Sequence, residues 1–130
     1  MIERVFLLKQ TDAFREVPTS ILQSLAPHLE EVGLDAGEAL FRKGDLGHSM
    51  YVVVDGRIRV HDGDRTLATL ERGAVLGEVS VLASEERMAS VTAETGAQLL
   101  RLDQEVLYEL MGLSPEVSRG LIQVLLERLG

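Results

Sequence analysis

Gly77, Glu78 and Arg87 have the types and the spacing to hold an anion carried on a sugar. The Gly-Glu pair opens a predicted single helical turn, and Arg87 follows nine residues after the glutamate, just ahead of a strand-like alternation. Backbone N–H groups at a helix start, together with the helix dipole, favour negative charge. A carboxylate beside them accepts from ribose hydroxyls, and a guanidinium pairs with phosphate through two N–H donors. Arginine suits this better than lysine, because its planar fork matches two oxygens at once. Each residue also has a plainer use. Arg87 stands beside Glu85 and Glu86 and can serve as a surface residue or a structural ion pair. Glu78 can stabilise a helix N-terminus by ~0.3–1 kcal/mol. Gly77 can do no more than permit a tight turn. The combination favours binding, since a helix-stabilising glutamate needs neither the glycine before it nor an arginine opposite.

These residues must be positioned by the elements around them. The first part of the chain reads helical, with Ile2, Val5, Phe6 and Lys9 at helical spacing and a break at Thr11-Asp12. A second helix follows Val17-Pro18, with Thr19 or Ser20 as N-cap, an apolar face of Ile21, Leu22 and Leu25, and Pro27 near its end. From Leu29 onward, turn signals recur at Asp35-Ala36-Gly37, Lys43-Gly44-Asp45, Asp55-Gly56, Asp62-Gly63-Asp64 and Glu71-Arg72-Gly73. Short apolar runs between such turns predict an all-β roll or sandwich. Met50 to Val54 reads as a strand covered on both faces, and Asp55-Gly56 suits a two-residue hairpin. Ile58, Val60, Leu67 and Leu70 are expected to face the core, and Arg57, Arg59 and Arg65 to face outward. Leu99, Leu100 and Leu102 mark the last strand. Asp103 is the expected N-cap of a helix carrying Val106, Leu107, Leu110 and Met111. Ser114-Pro115-Glu116 then has the order of N-cap, first-position proline and first-turn acid, ahead of a stripe of Val117, Leu121, Val124, Leu125 and Leu129.

Composition narrows the function classes. The chain has 130 residues, a single-domain size, and 45% of them are hydrophobic, so it should fold around a real core. Its 21 acidic residues outnumber 13 basic ones, giving a net charge of −8. That argues against a sequence-independent grip on nucleic acid or anionic lipid, but not against one small anion held by a local arginine. Cysteine is absent, so no disulfide or thiolate chemistry is available. The first nine residues are too short and too charged for a signal peptide, and no apolar run approaches ~20 residues. A cytoplasmic location without membrane insertion is expected. His28, His48 and His61 are dispersed, without metal-ligand spacing, which argues against a cupin-type metalloenzyme. No Gly-x-Ser-x-Gly or comparable setting supports a triad, and nothing else suggests catalysis.

Gly77, Glu78, Val79, Ser80, Val81 and Leu82, followed by Arg87, Ala89, Ser90 and Val91, resemble the phosphate-binding cassette of the cyclic nucleotide-binding domain. That family includes bacterial catabolite activators and the regulatory subunits of cyclic-AMP-dependent kinase. The resemblance runs from about Leu7 to Leu129. It implies a mainly β fold, a jelly-roll-like β-roll (double-stranded β-helix) of about eight strands with flanking helices. A helical N-terminus would span 1–28, the roll 29–102 with its cassette at 75–91, and C-terminal helices 103–130. It further implies Arg87 on the exocyclic phosphate oxygens, Glu78 on the ribose 2′-hydroxyl and Gly77 shaping the cradle. Backbone N–H groups of Val79, Ser80 and Ala89 are secondary ligand candidates, and Ser90 is expected near the base or the phosphate. No cofactor is implied.

The chain departs from the family pattern in places. Leu76 replaces the usual aromatic before the Gly-Glu pair. Met88 stands where a small or hydroxyl residue is usual, and it can either cover the ligand or fill the pocket. Met88 also lacks the hydroxyl that helps hold guanine in cyclic-GMP-selective relatives, which favours cyclic AMP over cyclic GMP. The loop Ala83-Ser84-Glu85-Glu86 lacks the frequent proline, and its two acids would weaken anion binding if they faced inward. Leu121, Ile122 and Leu125 can form a lid over the base, although core or dimer packing explains the same stripe. By resemblance the C-terminal helices relay binding to an attached or separate effector, and a homodimer through the last helix is a further option. Family transcription factors often carry a helix-turn-helix after that helix; this acidic chain, ending at Gly130, is not expected to bind DNA by itself. The competing reading is a nucleotide-free structural or protein-interaction module with the same fold.

Overall fold

Two strands with doubly apolar sequences divide the interior into two cores. In β3 (Ser49–Asp55), Met50 and Val52 face one side while Tyr51 and Val53 face the other, and all four are buried. In β8 (Ala97–Asp103), Leu100 and Leu102 join the first pair, and Ala97 and Leu99 join the second. Period-2 alternation sends successive side chains to opposite faces, so a run apolar on both must be covered twice. One cover is a second sheet and the other is helical. The computed structural model describes residues 2–83 and 86–129, with side chains through Glu127.

Eight antiparallel strands among the described residues form two four-stranded sheets. The first has the order β1-β8-β3-β6, using β1 (Glu30–Leu34) and β6 (Val75–Leu76), with Val52 paired to Leu100 and Tyr51 to Leu76. The second has the order β2-β7-β4-β5, using β2 (Ala39–Phe41), β4 (Ile58–Asp62), β5 (Arg65–Leu70) and β7 (Ser90–Ala93). Helices α1 (Ile2–Gln10), α2 (Thr19–Leu25), α4 (Gln104–Leu113) and α5 (Pro115–Leu129) cover the first sheet; α3 (Glu78–Ala83) follows β6. The expected β-roll with flanking helices is the observed architecture. None of the described helices is long and apolar enough to cross a membrane.

Several local expectations are corrected. The α2 N-cap is Pro18, not Thr19 or Ser20: its carbonyl accepts from the N–H groups of Ile21 and Leu22, and no side chain caps the helix. Asp103 is the α4 N-cap, but its carboxylate accepts from the Ser49 hydroxyl at 2.7 Å rather than from the helix. The first helix is where it was expected, α1 ending before Thr11-Asp12; its buried residues are Leu7 and Leu8, while Ile2 and Phe6 are exposed. Asp55-Gly56 is no hairpin, because β3 and β4 belong to different sheets and the chain crosses between layers there. The two-residue hairpin is at Gly63-Asp64, between paired Asp62 and Arg65. Leu67 is exposed because β5 carries a bulge: Val60 pairs with Ala68 and His61 with Thr66, leaving Leu67 as the extra residue.

At the start of α5 the Ser114 hydroxyl donates to the Glu116 carboxylate at 2.6 Å. This bond, with help from the backbone and Arg119, holds the Glu116 carboxyl below its ordinary value. A depressed folded value adds stability above the unfolded pKa, and that increment disappears as pH falls through the folded one. Ser114→Ala should therefore lower the melting temperature at neutral pH by an amount that shrinks on acidification. Melting curves from pH 7 down to the acid limb check this; a pH-independent difference would contradict it.

Candidate functional site

The site is built where β6 runs out. Gly77 turns the chain at φ +83°, a left-handed conformation that glycine tolerates without a Cβ clash, and α3 begins at the next residue. Glu78, at that first position, is fully buried. Its neighbours Val79 and Ser80 lie in the first turn, where backbone N–H groups have no preceding intrahelical carbonyl. The Ser80 hydroxyl donates to the Glu86 carbonyl at 3.2 Å, tying α3 to the loop that carries the arginine. At the other end of α3, Gln104 Nε2 donates to the Val81 carbonyl at 2.7 Å, and the Tyr108 hydroxyl donates to the same carbonyl at 3.1 Å. Two side chains of α4 thus satisfy a carbonyl that the short helix leaves open.

Arg87 is pinned first by its backbone. Its N–H donates to the Asp45 carbonyl at 2.7 Å, and its own carbonyl accepts from Gly44 at 2.9 Å. The guanidinium then enters the protein, where the residue is 5% exposed. Nη2 donates to the Ser49 carbonyl at 2.7 Å and Nη1 to the Gly77 carbonyl at 3.2 Å. Its carbon lies 4.1 Å from the centre of the Phe41 ring and 5.9 Å from that of Tyr51. Space for the group depends on absent side chains: a Cβ on Gly47 would stand 2.3 Å from Nε, and one on Gly77 would stand 2.6 Å from Nη1. Burial lowers the guanidinium's pKa from its ordinary value, an effect partly opposed by Tyr51, Asp45 and Glu78. Arginine remains charged at neutral pH regardless.

A cavity of about 510 Å³ opens at this point. Gly77, Glu78, Val79, Ser80, Arg87, Met88 and Ala89 all line it, so seven of the eight residues singled out in the sequence come together. Ser90 does not line it; its hydroxyl accepts from the Lys43 N–H at 3.0 Å. Met88 is 67% exposed and so sits at the mouth rather than filling the interior. Glu86 is exposed and is not part of the lining, while Glu85 lies outside the described residues. Leu76, in place of an aromatic, is buried between the sheets and also borders the cavity. Of the three lid candidates, Leu125 alone lines the cavity: Leu121 is in the core, and Ile122 is exposed.

Sequence reasoning missed Phe41, Gly47 and the Ser49 carbonyl, which hold Arg87 from β2, the loop before β3 and β3 itself. An aromatic at a strand end and a glycine just past a Lys-Gly-Asp turn were the available signals, but neither names its partner. The remaining wall is apolar, with Val60 and Val91 among its residues. A charged fork and a carboxylate at one end of an apolar cavity can hold an anion, a polyol and a flat or greasy group together. Among the described residues no cluster of three His, Asp or Glu side chains has the arrangement to hold a metal ion.

Comparison with known proteins gives the same picture. Residues 31–113 match the family model for the cyclic nucleotide-binding domain. The human cyclic nucleotide-gated channel beta-3 is 32% identical over 123 residues, which cover 90% of this chain and 15% of the channel. The cyclic AMP receptor protein of Thermus thermophilus is 39% identical over 98 residues, covering 72% of this chain and 45% of that protein. The crystal structure of the Thermus thermophilus catabolite activator protein superimposes with a TM-score of 0.84 at 30% identity, over 92% of this chain and 58% of that one. The chain therefore spans less than half the length of these two curated relatives.

Proposed function

The chain belongs to the cyclic nucleotide-binding domain family, and on that premise we propose that it reversibly binds cyclic AMP in the cytoplasm and passes the event to an effector. The observation that carries this reading is the convergence of Gly77, Glu78 and Arg87 on one cavity of about 510 Å³. Arg87 pairs with the cyclic phosphate, Glu78 accepts from the ribose 2′-hydroxyl, and the N–H groups of Val79, Ser80 and Ala89 complete the cradle. The base lies against the apolar wall, near Met88 and Leu125. With no hydroxyl on Met88 for guanine, adenine is the favoured base. The module recognises its ligand and leaves it chemically unchanged.

The relay is part of the same proposal. Leu125 brings α5 to the cavity wall, and Gln104 and Tyr108 fasten α4 to the end of α3. A ligand that draws on α3 and Leu125 touches α5 directly and reaches α4 through α3, and it shifts their arrangement by its differential affinity for the two states. The effector is an attached or separate protein, and the exposed Ile122 and Leu126 of α5 suit a homodimer contact. Direct nucleic-acid binding is not part of this function.

Met88, Glu85 and Glu86 are the grounds for the competing reading, a module that no longer binds nucleotide; Met88 lying exposed at the mouth and Glu86 lying exposed outside the cavity lining support the binding reading. Calorimetric titration with cyclic AMP and cyclic GMP tests the reading. Cyclic AMP is expected to bind at micromolar concentration or tighter, more strongly than cyclic GMP, and to be recovered intact. At a hundredfold excess over Kd it should stabilise the fold by about 2.7 kcal/mol. No heat and no rise in melting temperature with either nucleotide would overturn the proposal.

A further inference from the structure

We propose that Phe41 is a positioning residue of the anion subsite, its ring holding the Arg87 guanidinium in the plane from which it meets a phosphate. The inference rests on the cyclic-nucleotide reading above. Phe41 ends β2, opposite Val91 in the ladder, and its ring is part of the same cavity wall as Arg87. The guanidinium carbon is 4.1 Å from the ring centre, well inside cation–π range. Tyr51 flanks the pair, its ring 6.2 Å from that of Phe41 and tilted by 39°. Attraction to an aromatic face is strongest where water is excluded, and Arg87 is buried.

The remaining constraints act on the edge of the fork. Its two observed acceptors are the carbonyls of Ser49 and Gly77. Both are neutral and fixed in the backbone, as the ring is neutral and fixed in β2. A carboxylate in their place would orient the group but cancel the charge that an anion needs. Ring and carbonyls instead orient it without an ion pair, while the Asp45 and Glu78 carboxylates act on it through space. Two of the five N–H donors are used in this way, so donors remain for a phosphate oxygen pair. Gly47 supplies the slot on the Nε side, where a Cβ would overlap the guanidinium.

The test is a series at position 41 in the full chain: phenylalanine, its difluoro and pentafluoro analogues, and Phe41→Leu. Fluorination drains the ring's negative face at nearly constant shape. Cyclic AMP affinity should fall stepwise along the series and be roughly 3- to 30-fold weaker in Phe41→Leu. Equal affinities for the fluorinated forms, with melting temperatures unchanged, would overturn the proposal. The NMR signal of the Arg87 Nε–H provides a readout that needs no nucleotide. A ring-current shift upfield in the wild type, lost in Phe41→Leu, is expected; an unshifted signal overturns the proposal even where nucleotide binds. If the upfield signal is present and cyclic AMP does not bind, the ring does hold the arginine and it is the cyclic-nucleotide reading that fails.

Discussion

Arg87→Ala is expected to weaken cyclic AMP binding by roughly 30- to 5,000-fold, the cost of removing one partner from a desolvated charge pair. The residue is buried, and its fork is the cationic group on the cavity wall. On the proposed reading, removing it takes away the phosphate's counter-charge while leaving the Glu78 carboxylate in the same cavity, so the variant site should repel the anion. The fold should lose about 1–3 kcal/mol as well, because the guanidinium links the Ser49 and Gly77 carbonyls across the site. Arg87→Lys separates charge from shape. An ammonium is a point charge that cannot lie flat on Phe41 while donating to both carbonyls, so affinity should fall well below the wild type despite the retained charge. Arg65→Ala, on the exposed β5, is the control and should bind as the wild type does. Titration calorimetry of the four proteins decides the matter: an Arg87→Ala affinity within about twofold of the wild type would remove the arginine from the site.

What could be read in the sequence, and what could not, follows from the range of each signal. Met50–Val54 revealed a doubly covered strand, and Leu99, Leu100 and Leu102 a last strand whose double cover only the structure brings out, because an apolar run is a property of neighbouring residues. Asp55-Gly56 misled because a two-residue hairpin and a turn between layers draw on the same residues; only the partner of the next strand tells them apart. Leu67 misled because a bulge shifts the face of a strand without leaving a mark in a single chain. The same limit shaped the site. Gly77, Glu78 and Arg87 lie within one short stretch, so their types and spacing could be weighed together, and all three line the cavity. Phe41, Gly47 and Ser49 reach Arg87 from about 40 residues away, through sheet packing that no local pattern encodes. Ser90 was close in sequence yet outside the cavity, since its hydroxyl is engaged by the Lys43 N–H. At α2 the misplaced cap has a simpler cause: Pro18 can start a helix with its carbonyl alone, so the Thr-Ser pair after it was one position too far along.

Gly120→Ala should destabilise the protein, although alanine is the better helix former by about 0.8–1 kcal/mol. Gly120 lies inside α5, where an added Cβ would stand 1.9 Å from the Ala13 carbonyl oxygen and 2.7 Å from its carbon. Those are backbone atoms of the buried segment after α1, so no side-chain rotation relieves the overlap. The helix must move outward, and Val117, Leu121 and Val124 on the same face then lose packing against the first core. Overpacking of this kind costs about 1–3 kcal/mol, more than the gain in helix propensity. Because Leu125 follows five residues later in the same helix and lines the cavity, the displaced helix should also loosen the hold on the ligand. Gly112→Ala is the matched test. Gly112 lies in α4 with nothing within 4 Å of an added Cβ, so the same substitution meets open space there. It should leave stability unchanged or raise it by up to about 1 kcal/mol. Opposite signs for the two variants in denaturant unfolding would establish that α5 is seated backbone to backbone on the N-terminal segment. Equal signs would mean that α5 packs loosely enough to absorb a methyl group, and that a ligand gripping Leu125 moves a helix with little resistance behind it.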